Sequence, residues 1–209
     1  MYVPEHFAEH RVEAQHAAMR RIGFATLVTT GPAGIEASHV PMLLDPEPAP
    51  LGTLIGHIAR DNPQWRQAGG GEALAIFLGA NAYVSPSWYP SKPKSGSRVV
   101  PTWNYVAVHA RGPIAWFDDA ARLEALVTRL TALHEAGRAA PWAVADAPRD
   151  YLAAMLKAIV GFAIPIARLE GKWKLSQNRP PEDRAGVADA LRAAGADAIA
   201  ELVADPKAT

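Results

Sequence analysis

The sequence contains no cysteine, no long apolar segment and no excess of either charge sign. With 0 cysteines among 209 residues, a disulfide framework, a thiolate metal site and a cysteine nucleophile are excluded. The N-terminal stretch MYVPEHFAEHR is polar and lacks the apolar core of a signal peptide. No segment approaches the ~18 apolar residues that a membrane-spanning helix needs. We therefore expect a cytoplasmic protein that makes no contact with a membrane.

The equal numbers of basic and acidic side chains limit the kinds of molecule that the protein is expected to bind. Basic and acidic side chains number 21 each, which gives a formal net charge of +0. Because neutralisation of phosphates supplies most non-specific DNA affinity, this balance argues against direct DNA binding but leaves room for a local basic patch. The chain also lacks a P-loop, a dinucleotide-binding glycine fingerprint and a GxSxG nucleophile elbow.

Turn-forming residues divide the chain into short segments, since 18 prolines and 16 glycines are present. The segments FATLVTT and IEASHVPMLL flank a GPAG turn and predict a β-hairpin. Apolar runs predict further strands at residues 51–58, 72–78, 83–85, 104–116 and 160–169, with a tight connection at 79–82. Helical segments are predicted at residues 5–21, 118–136, 150–159 and 181–194, followed by a short surface helix at 196–203.

Strands in hairpin-like succession with few helices indicate an antiparallel α+β protein, namely a barrel or curled sheet with peripheral helices. We expect one domain over residues 1–209, with a helical C-terminal appendage from about residue 180. The helix at 118–136 presents one apolar face made of Leu123, Leu126, Val127, Leu130 and Leu133. In the helix at 150–159, Tyr151 and Met155 are expected in the core.

The stretch 81–109 concentrates the side chains that suggest chemistry. It contains four large aromatic residues, several cations and many hydroxyls: Trp88, Tyr89, Trp103, Tyr105, Lys92, Lys94, Arg98, Ser85, Ser87, Ser91, Ser95, Ser97 and Thr102. Long loops in compact domains are usually functional or disordered, and large aromatic residues argue against disorder. This combination of aromatic rings, cations and hydroxyls could bind a ligand that has a planar ring and an anionic tail, such as flavin mononucleotide (FMN) or a nucleotide. The alternative is a surface loop that its aromatic residues hold in place.

A second candidate lies in GHIARDNPQW, where a predicted strand turns into a short helix. Arg60 at such a turn is placed to pair with a phosphate, together with free backbone N–H groups. The alternative is that Arg60 is solvated and Asn62 caps the helix. The stretch GKWKLSQN again combines cations, an aromatic residue, a hydroxyl and amides.

Four separated motifs, YVSPSWYPSK, VPTWNYVAVH, GHIARDNPQW and GKWKLSQNRP, together with the initial MYVPEHF, resemble the PaiB family of FMN-binding negative transcriptional regulators. The resemblance extends from Met1 to about Gly186. It implies a split β-barrel, here of six to seven antiparallel strands with peripheral helices, that binds FMN at a homodimer interface.

The resemblance also implies which residues bind the cofactor. Matching positions are His57, Ala59, Arg60, Asn62, Ser85, Ser87, Trp88, Tyr89, Arg98, Thr102, Trp103, Lys174 and Gln177. Arg60, Arg98 and hydroxyls are expected at the phosphate, and Trp88 or Trp103 at the ring. Lys174 and Gln177 are expected to reach the flavin of the partner subunit.

The implied function is negative transcriptional regulation by a flavin-binding dimer, acting through another protein or a small molecule. An FMN-dependent oxidoreductase of the flavin-reductase kind, with an unknown substrate, is the alternative, and a family member that has lost its flavin is a third possibility. No side chain is an obvious general acid or base. His57 and His109 are candidates for that role, but a structural histidine that forms hydrogen bonds is the favoured interpretation of each.

Overall fold

The computed structural model describes residues 1–48, 50–68, 71–93, 96 and 98–206. Lys94, Ser95 and Ser97 of the predicted cofactor loop lie outside these residues. Nine strands are present in the described part: β1 Ala8–Glu9, β2 Phe24–Gly31, β3 Gly34–Asp45, β4 Thr53–Ala59, β5 Glu72–Val84, β6 Thr102–Pro113, β7 Ala115–Phe117, β8 Ile159–Pro165 and β9 Arg168–Lys174. The six α-helices are α1 Val12–Ile22, α2 Gln64–Gln67, α3 Ala120–Glu135, α4 Arg149–Lys157, α5 Pro181–Ala193 and α6 Asp197–Ala204.

The chain divides into two compact units. The first consists of Met1–Ile22, Phe77–His109 and Glu170–Thr209, and the second of Gly23–Ile76 and Ala110–Leu169. The first unit has the strand order β1-β9-β6-β5 with helices α1, α5 and α6, whereas the second has β5-β2-β3-β4-β8-β7 with α2, α3 and α4. Nine strands exceed the six to seven expected from the sequence.

The hairpin predicted around GPAG is present in the second unit. Strands β2 and β3 pair antiparallel from Phe24 opposite Pro41 to Gly31 opposite Gly34. The strands therefore extend further into the turn than the sequence indicated. At the turn Gly34 adopts a φ of 109°, a conformation that side chains rarely tolerate.

Helices α3 and α4 supply the core on one side of the second unit. Asp119 caps α3 by accepting a hydrogen bond of 2.8 Å from the Arg122 N–H. The predicted apolar stripe is buried: Leu123 packs with the α4 residues Leu152 and Leu156, while Leu126 and Leu130 pack with Leu43. Helical periodicity in the sequence thus identified most of the buried face of α3, but Leu133, predicted in the same stripe, is 52% exposed near the end of the helix.

Two residues of α4 were assigned wrongly to the core. Tyr151 is 57% exposed and Met155 is 44% exposed. Only the Leu152 and Leu156 positions, four residues apart, face α3 and are buried. A short helix at a surface buries a narrow stripe, so apolar residues beside that stripe stay in solvent.

The strand predicted over residues 160–169 is two strands. Strand β8 ends at Pro165, and β9 begins at Arg168. The strand is interrupted because consecutive residues bond to different segments of the chain. The Ile166 N–H donates to the Gly52 carbonyl, whereas the Ala167 N–H donates to the Arg111 carbonyl. Conversely, residues 72–78 and the predicted connection at 79–82 form one continuous strand, β5.

The C-terminal helices pack on the first unit. Helix α6 buries Ile199, Ala200 and Val203, so it is more deeply packed than the surface helix expected from the sequence. Helix α5 lies against the short 3-10 helix Pro86–Trp88, where Gly186 approaches the backbone so closely that an added Cβ would overlap the Trp88 carbonyl oxygen.

This contact predicts that Gly186→Ala lowers the free energy of unfolding. In an unobstructed helix the same change stabilises by about 0.5–1 kcal/mol, but here the Cβ meets backbone that cannot rotate away. Chemical denaturation of the variant should show a lower midpoint than the wild type. Ala193→Gly, at an exposed position of α5, controls for helix propensity alone. A Gly186→Ala protein as stable as the wild type would contradict the contact.

Candidate functional site

Two of the sequence motifs come together in the first unit. The Lys174 ammonium at the end of β9 donates to the Thr102 hydroxyl at the start of β6. Two residues further along both motifs, the Asn104 amide donates to the Ser176 hydroxyl at 2.9 Å. Both Asn104 and Ser176 are buried. The PTWNY and KLSQN motifs therefore form one polar structure within the chain, a contact that the sequence did not predict.

The turn after β9 holds Lys174 in place. Ser176 has a φ of 63°, which is uncommon for a residue other than glycine. The Gln177 side chain spans the turn, since its oxygen accepts from the Leu175 N–H at 2.7 Å and its nitrogen donates to the Trp173 carbonyl. The amide of Gln177 is thus engaged with its own backbone, and its predicted contact with a cofactor stays a prediction.

Lys174 belongs to a cationic cluster, which we define as Lys172, Lys174 and Arg179. Burial lowers the pKa of Lys174, and the positive charges of Lys172 and Arg179 lower it further. Within the described residues, no carboxylate is among the groups that shift this pKa. The cluster therefore presents positive charge that lacks a compensating acid at Lys174.

Lys172 is the most enclosed member of the cationic cluster. The residue is buried, and its ammonium donates to the Tyr2 carbonyl at 3.0 Å. It also lies 5.4 Å from the ring centroid of Tyr2 and 5.3 Å from that of Tyr105, within cation–π range. Lys172 and Arg179 were absent from the residues predicted from the sequence, although both belong to the GKWKLSQNRP motif.

The SPSWYPS segment is anchored next to the cationic cluster. Tyr89 is buried with the Arg179 guanidinium 4.7 Å from its ring centroid, and burial raises the pKa of its phenol. Ser91 donates from its N–H and its hydroxyl to the buried carboxylate of Asp183, at 2.9 and 2.6 Å. Asp183 was also missed by sequence reasoning. It fixes the segment to helix α5.

The remaining predicted residues of the first unit differ in accessibility. Ser85 caps the 3-10 helix and hydrogen-bonds the Ser87 hydroxyl at 2.7 Å. Trp88 is half-buried and Arg98 is exposed. Trp103 is 53% exposed and meets the half-exposed ring of Tyr83 edge to face, with centroids 6.4 Å apart. Trp103 is therefore accessible to a ligand, and its role at the flavin ring stays a prediction.

In the second unit, the predicted phosphate ligand Arg60 is engaged with the backbone. Its guanidinium donates to the carbonyls of Lys157 at 2.6 Å and Ile159 at 3.1 Å, and lies 3.5 Å from the carboxylate of Asp118. These contacts tie the end of β4 to the end of α4. The role of Arg60 at a phosphate stays a prediction, but most of its donors already have partners.

The other predicted residues of the second unit also have structural explanations. Pro63, not Asn62, is the N-cap of α2. The Asn62 oxygen accepts from the Gln64 N–H at 2.9 Å, and its nitrogen donates to the Ser38 hydroxyl. Ala59 is exposed at the end of β4. His57 is half-buried, and its Nδ1 is enclosed without a hydrogen-bond partner in the described residues. Such an atom is suited to a ligand contact.

The fold agrees with the comparison to known proteins. Residues 1–168 match the model of a family described as "Putative FMN-binding domain". The protein belongs to this family. A relative from Bacillus subtilis (strain 168), named Protease synthase and sporulation protein PAI 2, is 33% identical over 209 residues, covering 98% of this chain and 97% of the relative. The PaiB resemblance and the FMN cofactor that it implied are confirmed at the level of the family.

Solved structures show the fold of this FMN-binding domain. The FAD and heme binding protein from Mycobacterium smegmatis has a TM-score of 0.58 at 19% identity, over 84% of this chain and 78% of that chain. The flavocytochrome Anf3 from Azotobacter vinelandii has a TM-score of 0.59 at 11% identity, over 82% of this chain and 72% of that chain. The predicted antiparallel split barrel with peripheral helices is therefore confirmed. None of the described helices is long and apolar enough to span a membrane.

The residues of the first unit fit FMN chemically. A phosphate monoester needs cations and hydroxyl donors, which the cationic cluster and Thr102 provide. A flavin ring needs flat apolar surfaces, which Trp103 and Tyr83 leave accessible.

The enclosed imidazole of His57 predicts a pH dependence of stability. Burial lowers its pKa in the folded protein, so the unfolded chain binds more protons below the ordinary value of about 6.5. The free energy of unfolding should fall as the pH decreases through about 6.5 and continue to fall until the folded pKa is passed. His57→Gln should reduce this slope in chemical denaturation at several pH values.

His134→Gln is the matched control because His134 lies exposed on α3. If His57→Gln and the wild type lose stability in parallel on acidification, the burial of His57 does not govern the slope.

Proposed function

We propose that the protein binds FMN, with the phosphate held by the cationic cluster and Thr102. The observation that carries this proposal is the half-buried Lys174 ammonium, whose hydrogen bond goes to the neutral hydroxyl of Thr102. A phosphate beside Lys174 would supply the opposite charge that this neutral partner lacks. Charge-assisted hydrogen bonds to phosphate oxygens are also stronger than those to neutral acceptors.

The aromatic residues near the same motifs support the position of the ring. Trp103 and Tyr83 expose about half of their surfaces, an unfavourable state that a stacked ring would reduce. Trp88 supplies a third, half-buried aromatic surface. The proposed site therefore combines an anion-binding end, which fixes orientation, with aromatic surfaces that recognise a planar group.

Bound FMN supplies the capacity to accept and return electrons. The protein's own residues bind the phosphate, restrict the ring and limit access of water. These roles serve either of two functions: negative regulation, in which occupancy or oxidation state of the flavin alters a contact with another molecule, or an FMN-dependent oxidoreductase. We favour regulation because of the PaiB resemblance, and regulation through a protein or small molecule because the net charge is +0.

We also propose that the protein acts as a homodimer. Residues opposite each other in neighbouring strands share one face of a sheet, and in the second unit one such face is rich in apolar side chains: Phe24, Val28, Ile35, Ala37, Pro41, Leu74 and Ile76. Phe24 is 57% exposed and Ile35 is 76% exposed. Contiguous exposed apolar surface is typical of a protein–protein contact. A self-complementary face would give a symmetric dimer.

The first test is titration of FMN by fluorescence quenching. Lys174→Ala removes a cation from the cluster and should weaken binding about 10- to 100-fold, the range expected for a hydrogen bond to a charged group. Lys157→Ala removes an exposed lysine of the second unit and should leave the affinity unchanged. Both variants should unfold at the same denaturant concentration as the wild type.

Arg60→Ala separates this site from the one predicted at the end of β4. Because Arg60 bonds backbone carbonyls, the variant should lose stability while its folded fraction keeps wild-type FMN affinity. Weakened binding in Arg60→Ala together with unchanged binding in Lys174→Ala would instead place the phosphate at Arg60. Absence of binding by the wild type would reject the FMN proposal.

The dimer proposal predicts that Phe24→Glu dissociates the protein. A carboxylate on the apolar face would be desolvated without a partner in the dimer, which is costly. Sedimentation velocity should show the wild type as a dimer and Phe24→Glu as a monomer. Ala33→Glu, at the exposed hairpin turn, should remain dimeric. A wild type that stays monomeric at all accessible concentrations would refute the proposal.

A further inference from the structure

We propose that a cleft in the first unit binds a free aliphatic α-amino acid. The cleft has a volume of ≈ 420 Å³ and is lined by helices α1 and α6 and by strands β5 and β6. Small-molecule sites are typically clefts of about 300–1,000 Å³ whose lining is mostly apolar with a few polar groups. The cleft shares no lining residue with the proposed FMN site, so the inference goes beyond the proposed function and does not require FMN to bind.

Apolar side chains form most of the cleft. Ala18 of α1 and Val106 of β6 are buried, whereas Leu78 of β5 is 57% exposed. None of the described residues that line the cleft is aromatic. Because removal of apolar surface from water is favourable in proportion to its area, an aliphatic group in contact with Leu78 would be stabilised there. The lining therefore matches an aliphatic side chain and offers no ring on which a flavin or a nucleotide base would stack.

Gly79 leaves space in the cleft that the fold itself does not require. Its φ is not positive, and an added Cβ would lie 3.3 Å from the Cδ1 of Ile22, the flexible end of a side chain. No backbone atom comes closer to that Cβ than the Val106 carbonyl oxygen at 3.5 Å, whereas a Cβ at Gly31 or Gly112 would overlap a carbonyl oxygen. Glycine inside a strand is unfavourable and often marks the close approach of a ligand or of another backbone. At Gly79 the second explanation does not apply.

Two charges of opposite sign, Arg21 on α1 and Glu201 on α6, are the polar groups of the cleft. Both are exposed, and neither forms an ion pair with the other or with any further side chain that the structure describes. The residues three and four positions before Arg21 are alanines, and those four positions on either side of Glu201 are Asp197 and Asp205. Neither helix therefore supplies an opposite charge at the spacing that allows pairing.

A ligand with neighbouring positive and negative charges and an aliphatic group matches all of these features. Its carboxylate would accept hydrogen bonds from the Arg21 guanidinium, and its ammonium would donate to the Glu201 carboxylate. Because both side chains are long and exposed, they can close on adjacent charges of a ligand in the cleft. The aliphatic group would then occupy the space that Gly79 leaves open. A free aliphatic α-amino acid combines these three groups and would act as a small-molecule effector of the protein.

The test is isothermal titration calorimetry of the full-length protein with L-leucine as the probe. Two analogues each lack one charge, since isocaproate has no ammonium group and isoamylamine has no carboxylate. We expect saturable binding of L-leucine and an affinity at least about tenfold lower for each analogue, because each loses a hydrogen bond between charged groups. Equal affinities of L-leucine and either analogue would overturn the proposal of an amino acid ligand.

Four variants locate the binding site. Arg21→Gln should abolish the preference for L-leucine over isoamylamine, and Glu201→Gln the preference over isocaproate, because each variant lacks the partner of one ligand charge. Gly79→Ala should weaken L-leucine binding at least about fivefold by filling the cleft, while its denaturation midpoint equals or exceeds that of the wild type. Arg20→Gln is the matched control, because it removes an exposed charge of α1 outside the cleft and should bind L-leucine like the wild type.

Absence of saturable binding by the wild type at millimolar L-leucine would overturn the proposal. Wild-type affinity for L-leucine in Arg21→Gln, Glu201→Gln and Gly79→Ala would also overturn it, because binding would then occur elsewhere. Failure of FMN to bind leaves all of these expected affinities unchanged, so the two proposals fail independently.

Discussion

The placement of Lys172 and Lys174 against neutral partners is the constraint on which the candidate site of the first unit depends. Charges that are partly removed from water usually have opposite partners, because desolvation alone is costly. Here the compensation at Lys172 comes from a backbone carbonyl and two tyrosine rings, and at Lys174 from a hydroxyl. Each of these groups is neutral, so the positive charge is solvated by the protein without being cancelled. The buried pair of Asn104 and Ser176 fixes the strand ends on which this arrangement depends.

Arg60 illustrates the opposite use of a cation. Its guanidinium bonds the carbonyls of Lys157 and Ile159, which lie at the end of α4 and the start of β8. Carbonyls at a helix C-terminus lack partners within the helix and carry partial negative charge, so a guanidinium there stabilises the fold. The sequence pattern of an arginine between a strand and a helix does not distinguish an arginine that binds a ligand from one that binds backbone carbonyls. The difference emerges only when the distant segment that supplies the carbonyls is in place.

Local patterns in the sequence predicted the fold where local forces determine it. The GPAG hairpin and the leucine stripe of α3 follow from turn chemistry and periodicity, and both are present. The break between β8 and β9 was not predictable in this way, because it reflects the different partners of the Ile166 and Ala167 N–H groups. The site shows a similar limit. Lys172 and Lys174 are two residues apart, so a strand places them on one face, but the predicted strand ended at residue 169, and the sequence therefore did not indicate that the two lysines share a face.

The two ends of the proposed site contribute differently to recognition. A cluster of cations attracts any phosphate-bearing anion, whether FMN, inorganic phosphate or a nucleotide, because charge attraction is strong but poorly selective in shape. Selection must then come from the surfaces around the anion, where Trp103 and Tyr83 favour a planar group over an aliphatic one. Inorganic phosphate would engage only the cationic end, whereas FMN would engage both. Differences in affinity between these ligands therefore measure the aromatic contribution, and the charge at Lys174 sets the contribution that they share.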